Sequence, residues 1–399
     1  MTSARYNGLD VLRIGMMFSV MVTHAGLSYT NEAFPVWGEF HDPQTNHIAF
    51  YYVFLIRHLF SMPVFFVLAG FFGAMTVRRY GAGAMLRNRT RRILLPLLVF
   101  MPLLSPIILL GFAAARNGTT DSAEYRLVIN MITSGVPVVR LVHLWFLYYL
   151  YIFCLLAYVT VKIAERLPAH WVTAVTSRFD RLLISRWYAL IFGVVTLMTL
   201  LTMHGPWIET PTEFRLNWRT FLVEIVFFVF GWRLFHHSYL LNRFTQRPWL
   251  NVGASALFMT LYLTIYFHRP WFSSDRTYTT AAMVMGACHI WTVIPGLIGL
   301  SLKAFPKSTL TTQLLSQGSY WMYLAHMPLT IWISYWLLDW PVSCFLKFGV
   351  NLVSIFLFTF LTYLLFVRST FIGRFLNGKA HPWIFARKPA PAAPAESIA

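Results

Sequence analysis

The chain alternates between long apolar stretches and short polar segments. Ten apolar stretches approach the roughly 20 residues that an α-helix needs to cross a bilayer. They lie at approximately 9–30, 51–76, 93–115, 142–164, 187–204, 217–236, 249–267, 279–302, 320–338 and 343–367. This pattern predicts an all-α, polytopic membrane protein, a bundle of about ten transmembrane helices.

The composition supports this class. Of 399 residues, 57% are hydrophobic and 12% are charged, whereas soluble domains carry about 25% charged residues. The net charge of +18 would favour nucleic-acid binding in a soluble protein, but most Lys and Arg lie in alternate polar segments and most acidic residues lie in the others. Cytoplasmic loops of membrane proteins carry this excess of basic residues. We therefore predict cytoplasmic N- and C-termini and no nucleic-acid partner.

The sequence shows no separate soluble domain. We predict one transmembrane domain over residues 1–378 and a disordered cytoplasmic tail over 379–399, which is rich in Ala and Pro. The first apolar stretch is too long for a signal peptide and lacks a small-residue cleavage site, so we expect it to be retained.

Three ionisable residues lie on one face of the first predicted helix. Eleven steps separate Arg13 from His24, which brings their side chains to within roughly 20° of each other and about 16 Å apart along the axis. Asp10 precedes Arg13 by three residues and is its expected partner. Charged groups at membrane depth are costly and mark functional sites. A neutral imidazole can accept a proton from a hydroxyl and a cation can stabilise developing negative charge, so the stripe predicts catalytic roles for Asp10, Arg13 and His24.

Four arginines precede the third apolar stretch, within RNRTRR: Arg87, Arg89, Arg91 and Arg92. One interpretation is a positive-inside anchor. The other is recognition of a polyphosphate, because guanidinium groups bind phosphate oxygens in pairs. The second interpretation predicts an anionic cofactor that arrives from the cytoplasm.

Two aromatic segments also carry histidines. VHLWFLYYL contains His143 and Trp145, and SYWMYLAHMPL contains Tyr323 and His326. Aromatic residues at span ends are typical of interfacial belts, but they also suit sugar binding. By predicted topology His143 lies near the outer surface, as does His24, whereas His326 lies in the inner third of its span.

Two further features bear on a site within the membrane. Glu224 lies inside the sixth stretch, with Arg219 and Arg233 as candidate partners. Pro63 interrupts the second stretch, and three prolines crowd the third, which favours a cavity near these two spans because prolines free backbone carbonyls.

Several catalytic signatures are absent from the sequence. We find no G-x-S-x-G, P-loop, H-E-x-x-H or Rossmann pattern, which argues against a serine hydrolase, an ATPase and a zinc enzyme. The three cysteines lack paired spacing, so we predict neither a disulfide framework nor a metal site.

The ordered set of segments resembles a known family. GLDVLRIGMMFSVMVTH, SMPVFFVLAGFF, the Arg89-x-x-Arg92 pattern, HLWFLYYL and YLAHMPL are similar, in order, to the motifs of the acyltransferase family 3 integral-membrane proteins. The resemblance implies that His24 is the essential histidine and Arg13 the motif arginine. It also implies that Arg89 and Arg92 contact an acyl donor and that His143, Trp145, Tyr323 and His326 contact the acceptor, a role we extend to Glu224.

The resemblance also implies an activity. It predicts an O-acyltransferase of the bacterial inner membrane that uses acyl-CoA, with succinyl-CoA expected, as a co-substrate rather than a tightly bound cofactor. The expected acceptor is an osmoregulated periplasmic glucan, and membrane lipid and other glucan-synthesis proteins are candidate partners. Two alternatives stay open: an acetyltransferase acting on O-antigen, peptidoglycan or another exported glycan, and a proton-coupled transporter in which the ionisable residues form a relay.

Overall fold

The computed structural model describes residues 6–32, 34, 37 and 40–383, and this part of the chain is all-α, as predicted. It contains sixteen α-helices. They are α1 (Asn7–Leu27), α2 (Ile48–His58), α3 (Ser61–Tyr80), α4 (Ala82–Arg89), α5 (Leu95–Asn117), α6 (Ala123–Thr133), α7 (Trp145–Ala164), α8 (Ala169–Ile184), α9 (Tyr188–Leu200), α10 (Trp218–His236), α11 (Leu240–Gln246), α12 (Pro248–Phe267), α13 (Asp275–Ala304), α14 (Leu310–Trp336), α15 (Cys344–Thr362) and α16 (Phe371–Asn377). Residues 384–399 of the predicted tail lie outside the described residues.

Each of the ten apolar stretches falls in helix, but the count of ten spans is not confirmed. Six helical segments in the described part of the chain are long and apolar enough to cross a membrane, and α8 with α9, bent by 109°, would add a seventh. The first, sixth and ninth stretches, in α1, α10 and α14, do not reach that level. These three helices carry polar groups along one side, such as Asp10, Glu224 and His326, which lowers their mean hydropathy.

Prolines determine where two helices are interrupted. Pro63 has no N–H to donate to the carbonyl of Leu59, and the second stretch breaks there into α2 and α3. Pro96 likewise cannot donate to the carbonyl of Arg92, and a single π-helical turn, Thr90–Leu94, lies directly before it. Such turns occur often at functional sites.

Small residues allow α3 and α10 to approach each other closely. A Cβ atom on Gly70 would collide with the backbone carbonyl of Phe228, and one on Gly231 would collide with that of Val67. Small residues at helix contacts permit this approach in membrane proteins. The helix α3 directly follows α2, so its packing against α10 also determines where the end of α2 lies.

The two ends of α1 are held by different parts of the chain. At its start, the Asn7 side chain donates to the carbonyl of Pro306 at 3.2 Å, between α13 and α14. At its end, the backbone N–H of His47 donates to the carbonyl of Tyr29 at 2.9 Å. The segment between α1 and α2 therefore folds back over the end of α1 that carries His24.

Candidate active site

A cavity of about 70 Å³ lies between α1, the end of α2, the turn before α7 and α14. Four predicted site residues line it together: His24, His143, Trp145 and Tyr323. A cavity needs roughly 10–15 Å³ by the same measure to hold one water molecule, so this one accommodates a small polar group. The second stretch lines it, as its proline predicted, but the third stretch does not.

His24, which lines the cavity, is hydrogen-bonded to His326, which does not line it. His24 Nδ1 lies 2.9 Å from His326 Nε2, and the two ring planes differ by 8°. His326 Nδ1 lies 2.7 Å from the carbonyl oxygen of Tyr323. A carbonyl only accepts, so His326 Nδ1 donates to it, and in the neutral ring Nε2 must then accept from His24 Nδ1.

This chain of two hydrogen bonds fixes the tautomer of His24. With its proton on Nδ1, neutral His24 has an unprotonated Nε2, and this nitrogen has no hydrogen-bond partner among the described residues. A histidine oriented by a second group, with its other nitrogen available for a proton, is the arrangement that general bases use. The helix α14 begins at Leu310, ten residues before the predicted start, so His326 lies in the middle of its helix and not in the inner third as predicted.

His143 lies against the same pair. Its ring centroid is 5.3 Å from that of His326, and the hydroxyl of Tyr323 donates to its backbone carbonyl at 2.6 Å. In the described part of the chain, neither ring nitrogen of His143 is hydrogen-bonded. The preceding residue, Val142, has a φ of 43°, a strained conformation for a β-branched residue that costs about 1–3 kcal/mol and is found most often at functional sites.

The cation in this cavity is Arg57, which the sequence analysis did not select. It lies in the last turn of α2, is 9% exposed and lines the cavity with His24. Nε and Nη1 of its guanidinium are buried and have no hydrogen-bond partner among the residues that the structure describes. Its neighbour His58 lies with Nε2 2.6 Å from the carbonyl of Ile208, which ties α2 to the loop before α10.

Arg13 is not brought to the cavity. As predicted it pairs with Asp10, at 3.5 Å, and it also donates to the hydroxyl of Ser316 at 2.7 Å near the start of α14. Neither Asp10 nor Arg13 lines the cavity, because three helical turns separate Arg13 from His24. The ionisable residues of α1 therefore lie in two separate places, His24 at the cavity and Asp10 with Arg13 outside it. The catalytic roles of Asp10 and Arg13 stay predictions.

The four arginines before α5 divide into two pairs. Arg87 and Arg91 are exposed, whereas Arg89 and Arg92 are partly buried. The guanidinium of Arg92 lies against Gly378, and the hydroxyls of Thr90 and Tyr151 lie 3.1 Å apart beside the cluster. None of the four arginines lines the cavity, so their role in binding a cofactor stays a prediction.

Glu224 lies away from the cavity, in α10. It is fully buried, and neither carboxylate oxygen has a hydrogen-bond partner in the described part of the chain. The candidate partners are used elsewhere: Arg233 pairs with Asp180 at 2.5 Å, and the guanidinium of Arg219 lies over the ring of Trp218. Glu224 does not line the cavity, so its predicted contact with substrate gains no support from its position.

A larger groove adjoins the cavity. It has a volume of about 410 Å³ and is lined by residues 210–213 and 215–219, and Thr210 and Thr212 line both spaces. Glu209 fixes the start of this loop by accepting hydrogen bonds from His204 and Asn217. Partial burial opposes ionisation of Glu209, but these hydrogen bonds outweigh that effect and hold the pKa of its carboxyl below the usual range.

Some site residues could have been found from the sequence. Arg57 and His58 lie inside the second apolar stretch, and the rule that selected Arg13 would have selected them. Trp37, whose ring centroid is 5.3 Å from that of His24, and the two threonines come from loops and carry no sequence signal. Among the described residues, no group of three His, Cys, Asp or Glu side chains could hold a metal ion.

Comparison with known proteins identifies the class. A family model described as "Acyltransferase domain" matches residues 6–368, so the chain belongs to this acyltransferase family. It is a multi-pass membrane transferase.

Particular relatives extend the comparison. The chain is 25% identical over 391 residues to the glucans biosynthesis protein C of Salmonella gallinarum (strain 287/91 / NCTC 13346), with 93% of this chain and 94% of that protein covered. It is similar to the same extent to the proteins of that name from Salmonella paratyphi B (strain ATCC BAA-1250 / SPB7) and Salmonella schwarzengrund (strain CVM19633). No solved structure matches the chain.

Proposed function

We propose that this protein is an inner-membrane O-acyltransferase that moves a succinyl group from cytoplasmic succinyl-CoA to a hydroxyl of a periplasmic glucan. Family membership supports acyl transfer, and the name of the relatives supports a glucan as the acceptor. The observation that carries the proposal is the hydrogen-bonded chain from Tyr323 through His326 to His24, which leaves His24 Nε2 as a proton acceptor at the cavity.

In the proposed reaction His24 is the general base. The glucan hydroxyl enters the cavity past Thr210 and Thr212, and its proton passes to His24 Nε2 while its oxygen attacks the thioester carbonyl. A C–O bond forms, the C–S bond then breaks, and the coenzyme A thiolate takes the proton back from His24. His326 holds the imidazole in position throughout.

The donor is proposed to approach from the other end of the bundle. Arg89 and Arg92, with Arg87 and Arg91 nearby, bind the phosphates of coenzyme A, since guanidinium groups pair with phosphate oxygens. The pantetheine arm then extends past Arg13 towards His24. Position is consistent with this division, because none of the four arginines lines the cavity at His24.

The test is acyl transfer by the purified full-length protein in lipid nanodiscs, with succinyl-CoA as donor and a periplasmic glucan as acceptor. Mass spectrometry of the glucan should show the mass increment of a succinyl group. We expect His24→Ala to reduce the rate by roughly 10²- to 10⁴-fold, whereas His268→Ala, at an exposed histidine at the end of α12, should leave it unchanged.

The alternatives predict different results. Transfer of acetyl from acetyl-CoA instead of succinyl would change the proposed donor, and transfer to another glycan would change the proposed acceptor. Neither result would change the proposed mechanism. Movement of an intact substrate across the membrane of proteoliposomes without consumption of acyl-CoA would show that the protein is a transporter and not an enzyme.

A further inference from the structure

Arg57 is a buried cation without a visible counter-charge. Its side chain is at the cavity wall, nine-tenths buried, and no hydrogen bond or ion pair to its guanidinium is found in the described residues. A buried charge is strongly unfavourable unless it is paired and hydrogen-bonded. A guanidinium cannot avoid this by losing its proton, because it stays charged in proteins.

No carboxylate among the described residues pairs with Arg57. The imidazoles of His24, His58 and His326 lie close enough to Arg57 to interact with it electrostatically, and none of them supplies negative charge. Two described carboxylates of the loops around the cavity have other partners: Asp42 pairs with Lys347, and Glu209 pairs with His204 and Asn217. A bound anionic ligand would supply the charge that the described residues lack.

The cavity limits what this ligand can be. Arg57 and His24 line the same space of about 70 Å³, so an anion bound at Arg57 lies close to the reacting atoms at His24. A transient oxyanion would neutralise Arg57 only during the reaction. A carboxylate on the acyl group would neutralise it for as long as the donor is bound, and it would match the paired N–H groups of the guanidinium.

We propose that Arg57 binds the free carboxylate of a short dicarboxylic acyl group and thereby selects an anionic acyl donor. This proposal rests on the proposed acyl transfer, since it assigns one end of the transferred group to Arg57 while the thioester end lies at His24. It also explains why a buried cation is tolerated beside three imidazoles at the junction of α2 and α3.

The test compares two donors that differ only in the group at the far end of the acyl chain, a carboxylate in one and a methyl group in the other. Succinyl-CoA carries the carboxylate, and butyryl-CoA has the same four-carbon chain without it. For the purified protein in nanodiscs we expect kcat/KM to favour succinyl-CoA, because a site built to pair with a polar group rejects the analogue that lacks it. Arg57→Gln should lower kcat/KM for succinyl-CoA by about 100-fold or more and change that for butyryl-CoA by less than about threefold.

Arg57→Lys is the matched variant. It keeps the charge but loses the paired geometry, so its preference for succinyl-CoA should fall between those of wild type and Arg57→Gln. An equal loss with both donors in both variants would overturn the proposal in favour of oxyanion stabilisation or a structural role. Equal use of both donors by the wild-type protein would overturn it as well.

A binding measurement separates this proposal from the proposed reaction. Succinate should bind to the His24→Ala protein as it does to the wild type, and its affinity should fall at least tenfold in Arg57→Gln. If the wild-type protein transfers no acyl group but succinate binding still depends on Arg57, the reaction is wrong and the anion site stands. If succinate binds equally well without Arg57, the anion site is wrong whatever the reaction.

Discussion

Two buried cations in this protein have opposite surroundings. Lys347 in α15 is fully buried, and its ammonium group donates to Asp42 at 2.7 Å and to the carbonyl of Leu338 at 2.9 Å. Arg57 in α2 is nearly as buried and has no such partner in the described part of the chain. A cation whose charge is balanced within the protein holds parts of the chain together, whereas one left unbalanced points to a ligand.

The Lys347 region serves as the structural support of the cavity. Next to it the Asn351 side chain donates to the hydroxyl of Ser334 at 2.8 Å, which in turn donates to that of Ser28 at 2.8 Å. Ser28 also accepts from the indole of Trp37, whose ring lies beside His24. This network therefore holds the described part of the segment after α1 in place over the histidines.

The largest effect on stability is expected from Lys347→Met. It leaves the carboxylate of Asp42 buried without its partner, and breaking a buried pair in this way costs about 3–5 kcal/mol. Thermal unfolding in detergent should show a clearly lowered midpoint. The double variant Asp42→Asn with Lys347→Met removes both charges and should recover much of this loss. If the double variant is no more stable than the single one, the pair is not the source of the stability.

His326 should affect catalysis more than stability. His326→Leu removes the acceptor for His24 Nδ1 and frees the imidazole to rotate and change tautomer, so we expect kcat to fall at least about tenfold. His326→Gln keeps an acceptor oxygen and should retain more activity than His326→Leu, measured as acyl transfer per folded molecule. Equal activity in the two variants would show that the hydrogen bond does not position the base.

Variants of the arginines before α5 will show whether donor binding depends on the partly buried pair, Arg89 and Arg92. Replacing Arg89 and Arg92 with Ala should raise KM for acyl-CoA by about tenfold or more, because hydrogen bonds between charged groups contribute roughly 1.5–3 kcal/mol each. The matched double variant at the exposed Arg87 and Arg91 should change KM by less than about threefold, since exposed ion pairs contribute little. The contrast should shrink as salt concentration rises. Equal effects of the two double variants would favour the simple membrane-anchor interpretation.

The smallest effect concerns the loop beside the groove. The depressed pKa of Glu209 means that its ionised carboxylate stabilises the folded loop above the pKa of the unfolded chain. This stabilisation is lost as the pH falls through the lower, folded pKa. Amide hydrogen exchange of residues 204–217 should therefore be better protected at pH 7 than at pH 3, after correction for intrinsic exchange. Glu209→Gln should remove that difference, and an unchanged profile in the variant would assign it to another group.

Sequence patterns predicted the helices well because apolar length and proline position act locally. Pro63 and Pro96 mark the interruptions in the structure for a reason that involves only neighbouring residues. The number of spans was less predictable, because α1, α10 and α14 keep polar groups on one side, and a hydropathy average does not register which side faces the protein interior.

The candidate site was predictable only in part. His24, His143, Trp145 and Tyr323 meet at one cavity, whereas Arg13 and Glu224 do not reach it. The presence of an ionisable residue within a span indicates that it faces something polar, but it does not indicate which of several polar neighbours that is. Arg57 is also an ionisable residue within an apolar stretch, but no recognised motif surrounds it, so it is not among the predicted site residues.

The sequence by itself determined the all-helical membrane class and the acyltransferase resemblance, since these depend on composition and on the order of short motifs. Only the tertiary structure decided that His326 orients His24 and that Arg57, rather than Arg13, is the cation beside it. The physical reason is distance. Periodicity places side chains on one face of one helix, but contacts between helices more than 300 residues apart in the chain depend on how the whole bundle packs.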